Sequence, residues 1–373
     1  MSVKNIYIPK LRFKGFNDKY IKTKLCDVLF YEQPTNYLVK SNEYDNSFDT
    51  PVLTANKTFI LGKTNEKTGI YSKGPVIIFD DFTTDNKYVN FNFKIKSSAI
   101  KLLTTNSANN LFYLYQLINS KQLNNYGHNR HWIRFLSQEI RLICLLSEQI
   151  KISRFFSLLD QQILLLENKL QLIEQIRLFL NNNLYKNSHK NGDKYLLDEL
   201  LENPKKEPIK DVEGYTPIKI MLNGKGFIKS NLDVKITGKG RKYYERSSGE
   251  LIIGLQNFHN KSIAILNDCF FKPIMSNAIA SFVSKTDDDL FIIKEILLNK
   301  NHQNYIWNNA SGTGQKEYTI KKILETRIRL PLKDIQKNYK NKFIKIDLLI
   351  ELLNTKIKIF NHRKLFYLKN IFI

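Results

Sequence analysis

Two stretches of the chain decide the fold: residues 156–184, FSLLDQQILLLENKLQLIEQIRLFLNNNL, and residues 343–371, FIKIDLLIELLNTKIKIFNHRKLFYLKNI. In the first stretch, apolar residues are spaced alternately three and four apart: Phe156, Leu159, Ile163, Leu166, Leu170, Ile173, then the basic Arg177, then Leu180 and Leu184. The second stretch repeats this pattern 187 residues later: Phe343, Ile346, Ile350, Leu353, Ile357, Phe360, then the basic Lys364, then Tyr367 and Ile371. Such spacing places one narrow apolar seam on a helix, as in a coiled coil. We predict two long helices, each the pairing partner of the other.

The duplication predicts a tandem of two units, each a globular part followed by a long helix. If the helices pair antiparallel, the globular parts lie at opposite ends of the pair and are related by an approximate two-fold axis. A helix of about 35 residues spans roughly 50 Å. Two binding parts held at a fixed distance suit duplex DNA with half-sites one to two turns apart, where one turn is about 34 Å.

The composition favours a polyanionic partner. The 373 residues include 58 Lys and Arg against 35 Asp and Glu, which gives a net charge of +23 and a pI near 9.6. That excess favours nucleic acid, although the abundance of Lys, Asn and Ile is also what an AT-rich genome would encode. Hydrophobic residues at 42% are sufficient for real cores.

The sequence gives no sign of a membrane, disulfide or metal protein. No apolar run approaches the roughly 20 residues that span a bilayer, and the opening MSVKNIYIPK lacks a signal sequence, so we expect a cytoplasmic protein. Cys26, Cys144 and Cys269 are odd in number and far apart, which argues against disulfides and zinc. His128 and His131 lack a second pair of metal ligands.

Residue patterns divide the chain into five segments of an α+β protein. They are a first globular domain (1–146), a first spacer helix (147–185), a polar Gly-containing linker (186–194), a second globular domain (195–333) and a second spacer helix (334–373). The predicted strands are TPVLTA, TFILG, GPVIIFDDF, YVNFNFKI, AIKLL and EIRLICL, then YTPIKI, ELIIGLQ, SIAIL and AIASFVS. Residues 109–121 and the run FIIKEILLNK predict short helices. Trp132 and Trp307 are expected to pack in a core or between a domain and a helix, rather than to stack on bases.

One arrangement of motifs occurs twice. It is GHNRHWIRFLSQEIRL followed by LLSEQIKISRFFSLLDQQI, and later SGTGQKEYTIKKIL followed by RIRLPLKDIQ. The chain resembles the specificity subunit of type I restriction–modification systems, in which each target-recognition domain ends in a polar Gly-containing loop, an Ile-rich strand and a spacer helix. PKLRFKGF and GPVIIFDDFTTDNKYVNFNFKI also resemble that family, so the resemblance covers essentially the whole chain. Leu142-Ile143-Cys144 stands where Leu-Pro is expected, and Ile335-Gln336 where Glu-Gln is expected.

The resemblance implies a bacterial host-defence protein that recognises an asymmetric bipartite DNA target. It implies two dissimilar α+β target-recognition domains and an antiparallel coiled coil with pseudo-two-fold symmetry. The implied partners are double-stranded DNA, two methyltransferase subunits and a restriction subunit. The partners would use S-adenosylmethionine, ATP and Mg²⁺ for DNA methylation and cleavage, whereas this chain would bind no cofactor.

Basic residues near polar and Gly-rich loops are the candidate DNA contacts, because Lys and Arg neutralise phosphates and Arg also pairs with guanine edges. In the first domain they are Lys57, Lys63, Lys73, Arg130 and His131. In the second domain they are Lys239, Arg241, Lys242, Arg246, Gln315 and Lys316. Each of these side chains could equally be an ordinary solvated surface group. Arg177 and Lys364, which interrupt the seams, are interpreted as snorkelling groups or register determinants.

Enzymatic motifs are missing from the sequence. Asp80-Asp81 lacks the following Glu and Lys of a metal nuclease, and Asp287 to Asp289 suit a helix N-cap. No dinucleotide fingerprint, P-loop or Asn/Asp-Pro-Pro-Tyr/Phe methyltransferase segment is present. We therefore expect a non-catalytic subunit. The alternatives are a basic coiled-coil adapter that binds nucleic acid without sequence recognition, a single-chain restriction or methyltransferase enzyme, and an orphan subunit of the same family.

Overall fold

The computed structural model describes residues 9–54, 58–121, 131–231, 241–286, 289–308 and 318–372. The chain divides into two compact units, Met1–Asn168 with Asn354–Ile373, and Lys169–Leu353. Each unit combines sheets, short helices and parts of two long helices, so the predicted α+β class is confirmed. Within the described ranges, no helix combines the length and the apolar character needed to cross a membrane.

The first unit contains the first head, residues 9–145, and the long helix that follows it. Its helices are α1 (Leu25–Val28), α2 (Leu111–Ser120), α3 (Trp132–Leu136) and the beginning of α4 (Leu146–Asn191). Its strands are β1 (Tyr20–Lys24), β2 (Phe30–Glu32), β3 (Thr50–Leu53), β4 (Ile60–Thr64), β5 (Val76–Asp80), β6 (Asn86–Val89), β7 (Lys94–Ile95), β8 (Ile100–Thr104) and β9 (Glu139–Ile143). They form a β1–β9 ribbon, a sheet of order β2-β8-β5-β6 and a sheet of order β4-β3-β7.

The second unit contains the second head, residues 192–332, and repeats this strand order with one additional strand, β14. Its strands are β10 (Asp193–Leu196), β11 (Leu201–Glu202), β12 (Thr216–Ile220), β13 (Phe227–Lys229), β14 (Tyr243–Glu245), β15 (Leu251–Gly254), β16 (Ile263–Ile265), β17 (Pro273–Ser276), β18 (Ile279–Ser284) and β19 (Arg327–Leu330). Its helices, besides the end of α4, are α5 (Leu197–Leu200), α6 (Leu290–Leu298), α7 (Lys300–Asn308), α8 (Ile320–Leu324) and the beginning of α9 (Lys333–Ile371). The sheets are β10–β19, β11-β18-β15-β16 and β13-β12-β17-β14.

Each of the ten runs that the sequence predicts as a strand contains strand residues, but the run YVNFNFKI is divided between β6 and β7, which belong to different sheets. The strands that were not predicted are short or carry few apolar residues, as in β1 and β10. Each of those two closes its head by pairing antiparallel with the strand before a long helix, so that Lys22 faces Arg141 and Lys194 faces Arg329. The partners lie more than a hundred residues apart, and local patterns carry no information on such pairings.

The apolar seams of the two long helices are confirmed. Every predicted seam position, from Phe156 to Leu184 and from Phe343 to Ile371, is buried or half-buried. In the first unit the seam of α4 packs against the end of α9, with the rings of Phe156 and Phe372 5.9 Å apart. In the same unit Asp160 contacts Lys364. The residue in α4 moves forward from 156 to 160 while its partner moves back from 372 to 364, so these two segments run antiparallel.

The predicted linker at 186–194 is wrong, because α4 continues through Asn191. Leu184 and Ser188 are fully buried in the second unit, and the Ser188 hydroxyl donates to the Leu184 carbonyl at 2.8 Å. The helix ends at Gly192, where a Cβ atom would lie 2.6 Å from the carbonyl oxygen of Leu330. The polar composition of this segment reflects the exposed side of a helix whose opposite side is packed.

The two tryptophans have different environments. Trp132 is buried in the first core, with its ring 5.8 Å from those of Phe79 and Phe135, as predicted. Trp307 is 48% exposed and packs edge-on against His259 at 4.9 Å, so it does not lie in a core. It lies in the last turn of the polar helix α7, most of whose residues face solvent.

Candidate nucleic-acid interface

The second head presents accessible cations at the start of β14. Arg241 and Lys242 are exposed, and neither forms an ion pair with a described carboxylate. Tyr243 follows them and is held by the pairing of β14 with β17. Arg241 and Lys242 therefore remain predicted DNA contacts, with side chains that solvent and a ligand can reach.

Arg241 also lines a cavity of about 250 Å³ whose polar lining the sequence analysis missed. Lys219, Gln256 and Asn257 share this lining with it. Arg pairs with guanine edges and the amides of Gln and Asn pair with adenine edges, so this set has the chemistry for direct base recognition. Only the fold brings these residues together, because β12 and the turn after β15 are separated in sequence.

Arg246 is a structural residue, which corrects its prediction as a phosphate contact. Its side chain is 6% exposed, and burial lowers the pKa of the guanidinium. Nη1 donates to the Ser281 hydroxyl at 2.8 Å and Nη2 donates to the Ile279 carbonyl at 2.6 Å. Because these bonds tie the end of β14 to β18, Arg246 positions the strand that Arg241 and Lys242 precede.

In the first head the accessible candidates are Lys63 and Lys73. Lys63 lies on β4 and is half-buried. The Lys73 ammonium donates to both carboxylate oxygens of Glu32 at 2.9 Å and lies 5.6 Å from the centre of the Tyr37 ring. Lys73 already has a carboxylate partner, so a phosphate would have to compete with Glu32 for it.

His131 is buried at the beginning of α3, and burial excludes it from direct phosphate contact in this conformation. Its backbone N–H donates to Asp81, and the N–H of Trp132 donates to Asp81 Oδ1 at 2.7 Å. Asp80 Oδ1 accepts the N–H groups of Phe82 and Thr83. Both aspartates thus organise backbone, in agreement with the rejection of a metal-nuclease site.

The other candidate contacts lie outside the described residues: Lys57, Arg130, Lys239, Gln315 and Lys316. In the described part of the chain, no three His, Cys, Asp or Glu side chains are grouped so that they could hold a metal ion. Asp289 caps α6 as predicted, since its side chain accepts the N–H of Phe291.

Arg177 and Lys364 are the basic members of ion pairs within the helix pair, which supports their interpretation as register determinants. In the second unit Arg177 Nε donates to Asp347 at 2.5 Å. In the first unit Lys364 Nζ lies 2.7 Å from Asp160. The seams are related by an offset of 187 residues, and the same offset relates Asp160 to Asp347 and Arg177 to Lys364. Both members of the ion pair are therefore repeated in the second unit.

Each ion pair also receives a buried polar side chain from the short helix of its head. In the second unit Glu295 of α6 is fully buried and accepts from Arg177 at 2.9 Å and from Asn181. Burial raises the pKa of Glu295, but the nearby charges of Lys294 and Arg177 outweigh burial, and the net pKa is lowered. These contacts fix the second head on its helix pair through charge.

Comparison with known proteins connects this arrangement to one family. Over 121 residues the chain is 52% identical to an Escherichia coli type I restriction enzyme specificity subunit, an alignment of 31% of this chain and 30% of that protein. The chain thus matches less than a third of the length of that curated relative. The crystal structure of a type I restriction–modification S subunit from M. genitalium aligns with 98% of this chain and 99% of its own, with a TM-score of 0.68 and 12% identity. The resemblance to type I specificity subunits is confirmed.

Type I specificity subunits are non-catalytic components, which matches the expectation that this chain is not itself an enzyme. At 12% identity the likeness to the M. genitalium S subunit is one of fold. A structure concerned with assembly of the type I system and the HsdS subunit of Thermoanaerobacter tengcongensis align less well, with TM-scores of 0.48 and 0.36. No family model matches the chain.

Proposed function

We propose that this chain is the DNA sequence-recognition subunit of a type I restriction–modification complex. It recognises an asymmetric bipartite target and directs methyltransferase and restriction subunits to it. The observation that carries this proposal is the duplication: two heads whose strand orders match except for the additional strand β14 of the second, each followed in the chain by a long helix with the same apolar seam and an equivalent ion pair. The relationship to the E. coli specificity subunit supports it.

Binding to DNA is favoured by charge and by side-chain chemistry. A net charge of +23 attracts the phosphate backbone, and its contribution weakens with salt. Arg241 and Lys242 supply accessible cations for phosphates, and Gln256 and Asn257 supply amides for base edges. The second head therefore offers both kinds of contact that sequence recognition requires.

An asymmetric target follows from the divergence of the heads on a common framework. The strand orders match except for β14, which only the second head has, so the two heads share most of one scaffold while their accessible residues differ. The first head carries Lys73 paired with Glu32, and the second carries Arg241 without a described carboxylate partner. Different side chains on equivalent scaffolds recognise different base sequences, so the two halves of the target are expected to differ.

In the proposed complex the chain works in the bacterial cytoplasm with two methyltransferase subunits and a restriction subunit. Those partners contribute S-adenosylmethionine, ATP and Mg²⁺ chemistry, and this chain contributes the choice of site. Two copies of one partner suit a chain whose helical framework is itself duplicated. The role of this chain in host defence would be to define which DNA is methylated and which is cut.

The test is a methylome by single-molecule sequencing of cells that express this chain with its neighbouring methyltransferase, compared with cells that express the methyltransferase alone. We expect a new bipartite methylated motif with a fixed gap only when the chain is present. If the methyltransferase is folded and active but no new motif arises, sequence recognition is refuted and an adapter without sequence recognition becomes the better account.

A further inference from the structure

A cavity of about 310 Å³ lies within the second unit, and none of the described candidate DNA contacts lines it. Its walls are the last turns of α4, helix α7 and the β10–β19 ribbon. The volume is at the lower end of the roughly 300–1,000 Å³ typical of ligand pockets, so it suits a small molecule or part of a larger one.

The cavity is strongly cationic. Lys194, Arg327 and Arg329 line it, and no carboxylate is among the lining residues in the described part of the chain. Arg327 and Arg329 are two residues apart on one strand and therefore project to the same side. Lys194 and Arg327 form no ion pair with a described carboxylate, and Arg329 Nη1 donates only to the backbone carbonyl of His189, at 3.0 Å.

The equivalent ribbon of the first unit lacks this charge excess. There Lys22 faces Arg141, as Lys194 faces Arg329, but Glu139 occupies the ladder position of Arg327. Glu139 lies 2.7 Å from the Lys22 ammonium and neutralises it. The cation cluster is thus specific to the second unit and is not a requirement of the ribbon, which forms equally well with a carboxylate at that position.

His302 lines the cavity with an unsatisfied polar atom. Its side chain is 3% exposed, and its Nε2 has no hydrogen-bond partner among the described residues. Burial, helped by the nearby His189, lowers the pKa of His302 to about 4, so the ring is neutral at pH 7. A buried polar nitrogen without a partner is unfavourable, and a hydrogen bond from a ligand atom would remove that cost.

Aromatic rings form the remaining wall. The rings of Tyr185 and His189 are 4.0 Å apart with planes tilted by 34°. The Tyr305 ring is 43% exposed and lies 5.7 Å from that of His302. Accessible aromatic faces beside cations are suited to a planar base next to a phosphate, because a base can stack on the ring while the cation binds the phosphate.

We infer that this cavity binds a nucleoside phosphate, with the phosphate on Lys194, Arg327 and Arg329 and the base between Tyr185 and Tyr305. His302 Nε2 supplies a hydrogen bond to the ligand. The nucleoside phosphate comes from one of two sources, a free nucleotide or a nucleotide of a nucleic-acid strand. This site goes beyond the proposed recognition function and does not depend on it.

The test is calorimetric titration of the full chain with AMP, with inorganic phosphate and with a short duplex DNA, using Arg327→Glu as the diagnostic variant. This substitution installs the residue that the first unit carries, so folding is expected to persist and is checked by thermal unfolding. Loss of a charge-assisted bond of about 1.5–3 kcal/mol should weaken AMP binding at least about tenfold. Lys225→Glu, an exposed residue of the same head outside the cavity, makes the same change in net charge and should have no effect on AMP binding.

The outcomes separate the sources. AMP binding that Arg327→Glu weakens supports a free nucleotide, and Tyr305→Ala should then weaken AMP but not inorganic phosphate. If only DNA binds, and Arg327→Glu weakens it more than Lys225→Glu does, the nucleotide belongs to a strand. The inference is overturned if inorganic phosphate binds as tightly as AMP, if neither AMP nor DNA binds, or if the two charge reversals have equal effects.

Discussion

The two heads attach to the helix pair at equivalent places through different chemistry. In the first unit the buried Gln116 of α2 donates a neutral hydrogen bond to Asp160 at 3.3 Å. In the second unit the buried Glu295 of α6 accepts from Arg177 and Lys294, both at 2.9 Å. The neutral amide of Gln116 and the charged carboxylate of Glu295 thus perform the same positioning role. Only the contact made by Glu295 depends on nearby cations that balance a buried charge.

The ion pairs beneath these contacts did not diverge in the same way. Asp160 with Lys364 and Asp347 with Arg177 keep opposite charges at positions related by the same offset as the seam. Apolar side chains in a seam can pack equally well after one helix slips along the other by a turn. An ion pair cannot, because the slip separates the two charges, so such pairs specify the register of the helices. The register of the helices is therefore specified in the same way in both units, whereas each head is attached to its helices by different side chains.

The largest effect is expected from Arg177→Met. It leaves the buried Glu295 with Lys294 but without its second cation, and should destabilise the second unit by about 3 kcal/mol, the lower end for breaking a buried pair. Lys364→Met, the matched change in the first unit, removes a partly exposed pair and should cost less than about 1 kcal/mol. Native-state hydrogen exchange in α6 and α2 measures the two effects separately.

A double variant provides the control for that difference. Arg177→Met combined with Glu295→Gln removes the buried carboxylate of Glu295 together with its second cation. Because the single variants break the same Arg177–Glu295 contact, the double variant should cost less than the sum of the two. Equal costs for Arg177→Met and Lys364→Met would contradict the claim that only the second head depends on buried charge.

A smaller effect, of about 2 kcal/mol at neutral pH, is expected from Glu295→Gln, because Lys294 then loses its carboxylate. The lowered pKa of Glu295 means that its stabilisation is fully present above its ordinary value of 4.5 and is lost as pH falls through the lowered value. The difference between parent and variant should therefore shrink in acid. Exchange protection of α6 measured across this range checks it, and a difference independent of pH would count against a charged Glu295.

Gln116→Glu should have an effect of about 1 kcal/mol, because it adds a carboxylate beside Asp160 where Lys364 is the nearby cation. The introduced carboxyl has a raised pKa, so the loss of stability should appear as pH rises and disappear in acid. Exchange in α2 gives the readout. A gain in stability at neutral pH would mean that a buried carboxylate can replace the amide in the first unit, as Glu295 does in the second.

The smallest effect on folding is expected from Arg241→Ala with Lys242→Ala, because both side chains are exposed. Their removal should still weaken DNA binding and flatten the dependence of the binding constant on salt by up to about two phosphate contacts. Replacing Lys73, which is engaged by Glu32, should change the salt dependence less. An unaltered slope for the Arg241 and Lys242 variant would remove this segment from the interface.

The sequence predicted the features that repeat locally and missed those that depend on contacts between distant segments. The apolar spacing from Phe156 to Leu184, repeated from Phe343 to Ile371, located both seams. Runs of β-branched and aromatic residues located strands in both heads. The segment 186–194 was misjudged because its polar residues do not reveal that Leu184 and Ser188 are packed. The structural roles of Arg246 and Glu295 were missed because their partners, Ser281 and Arg177, lie in other elements. The identity of a charged residue in the sequence does not tell whether its side chain is exposed or buried.

We propose that the paired helices set the gap between the two halves of the target, and lengthening both helices together tests this. Seven residues inserted between Asn168 and Lys169, and seven between Thr355 and Lys356, add about 10 Å to each helix and leave the partners of Arg177 and Lys364 unchanged. The methylome of cells that express this variant with the methyltransferase is the measurement. We predict the same two half-sites separated by a longer gap. The same half-sites with an unchanged gap would contradict the claim.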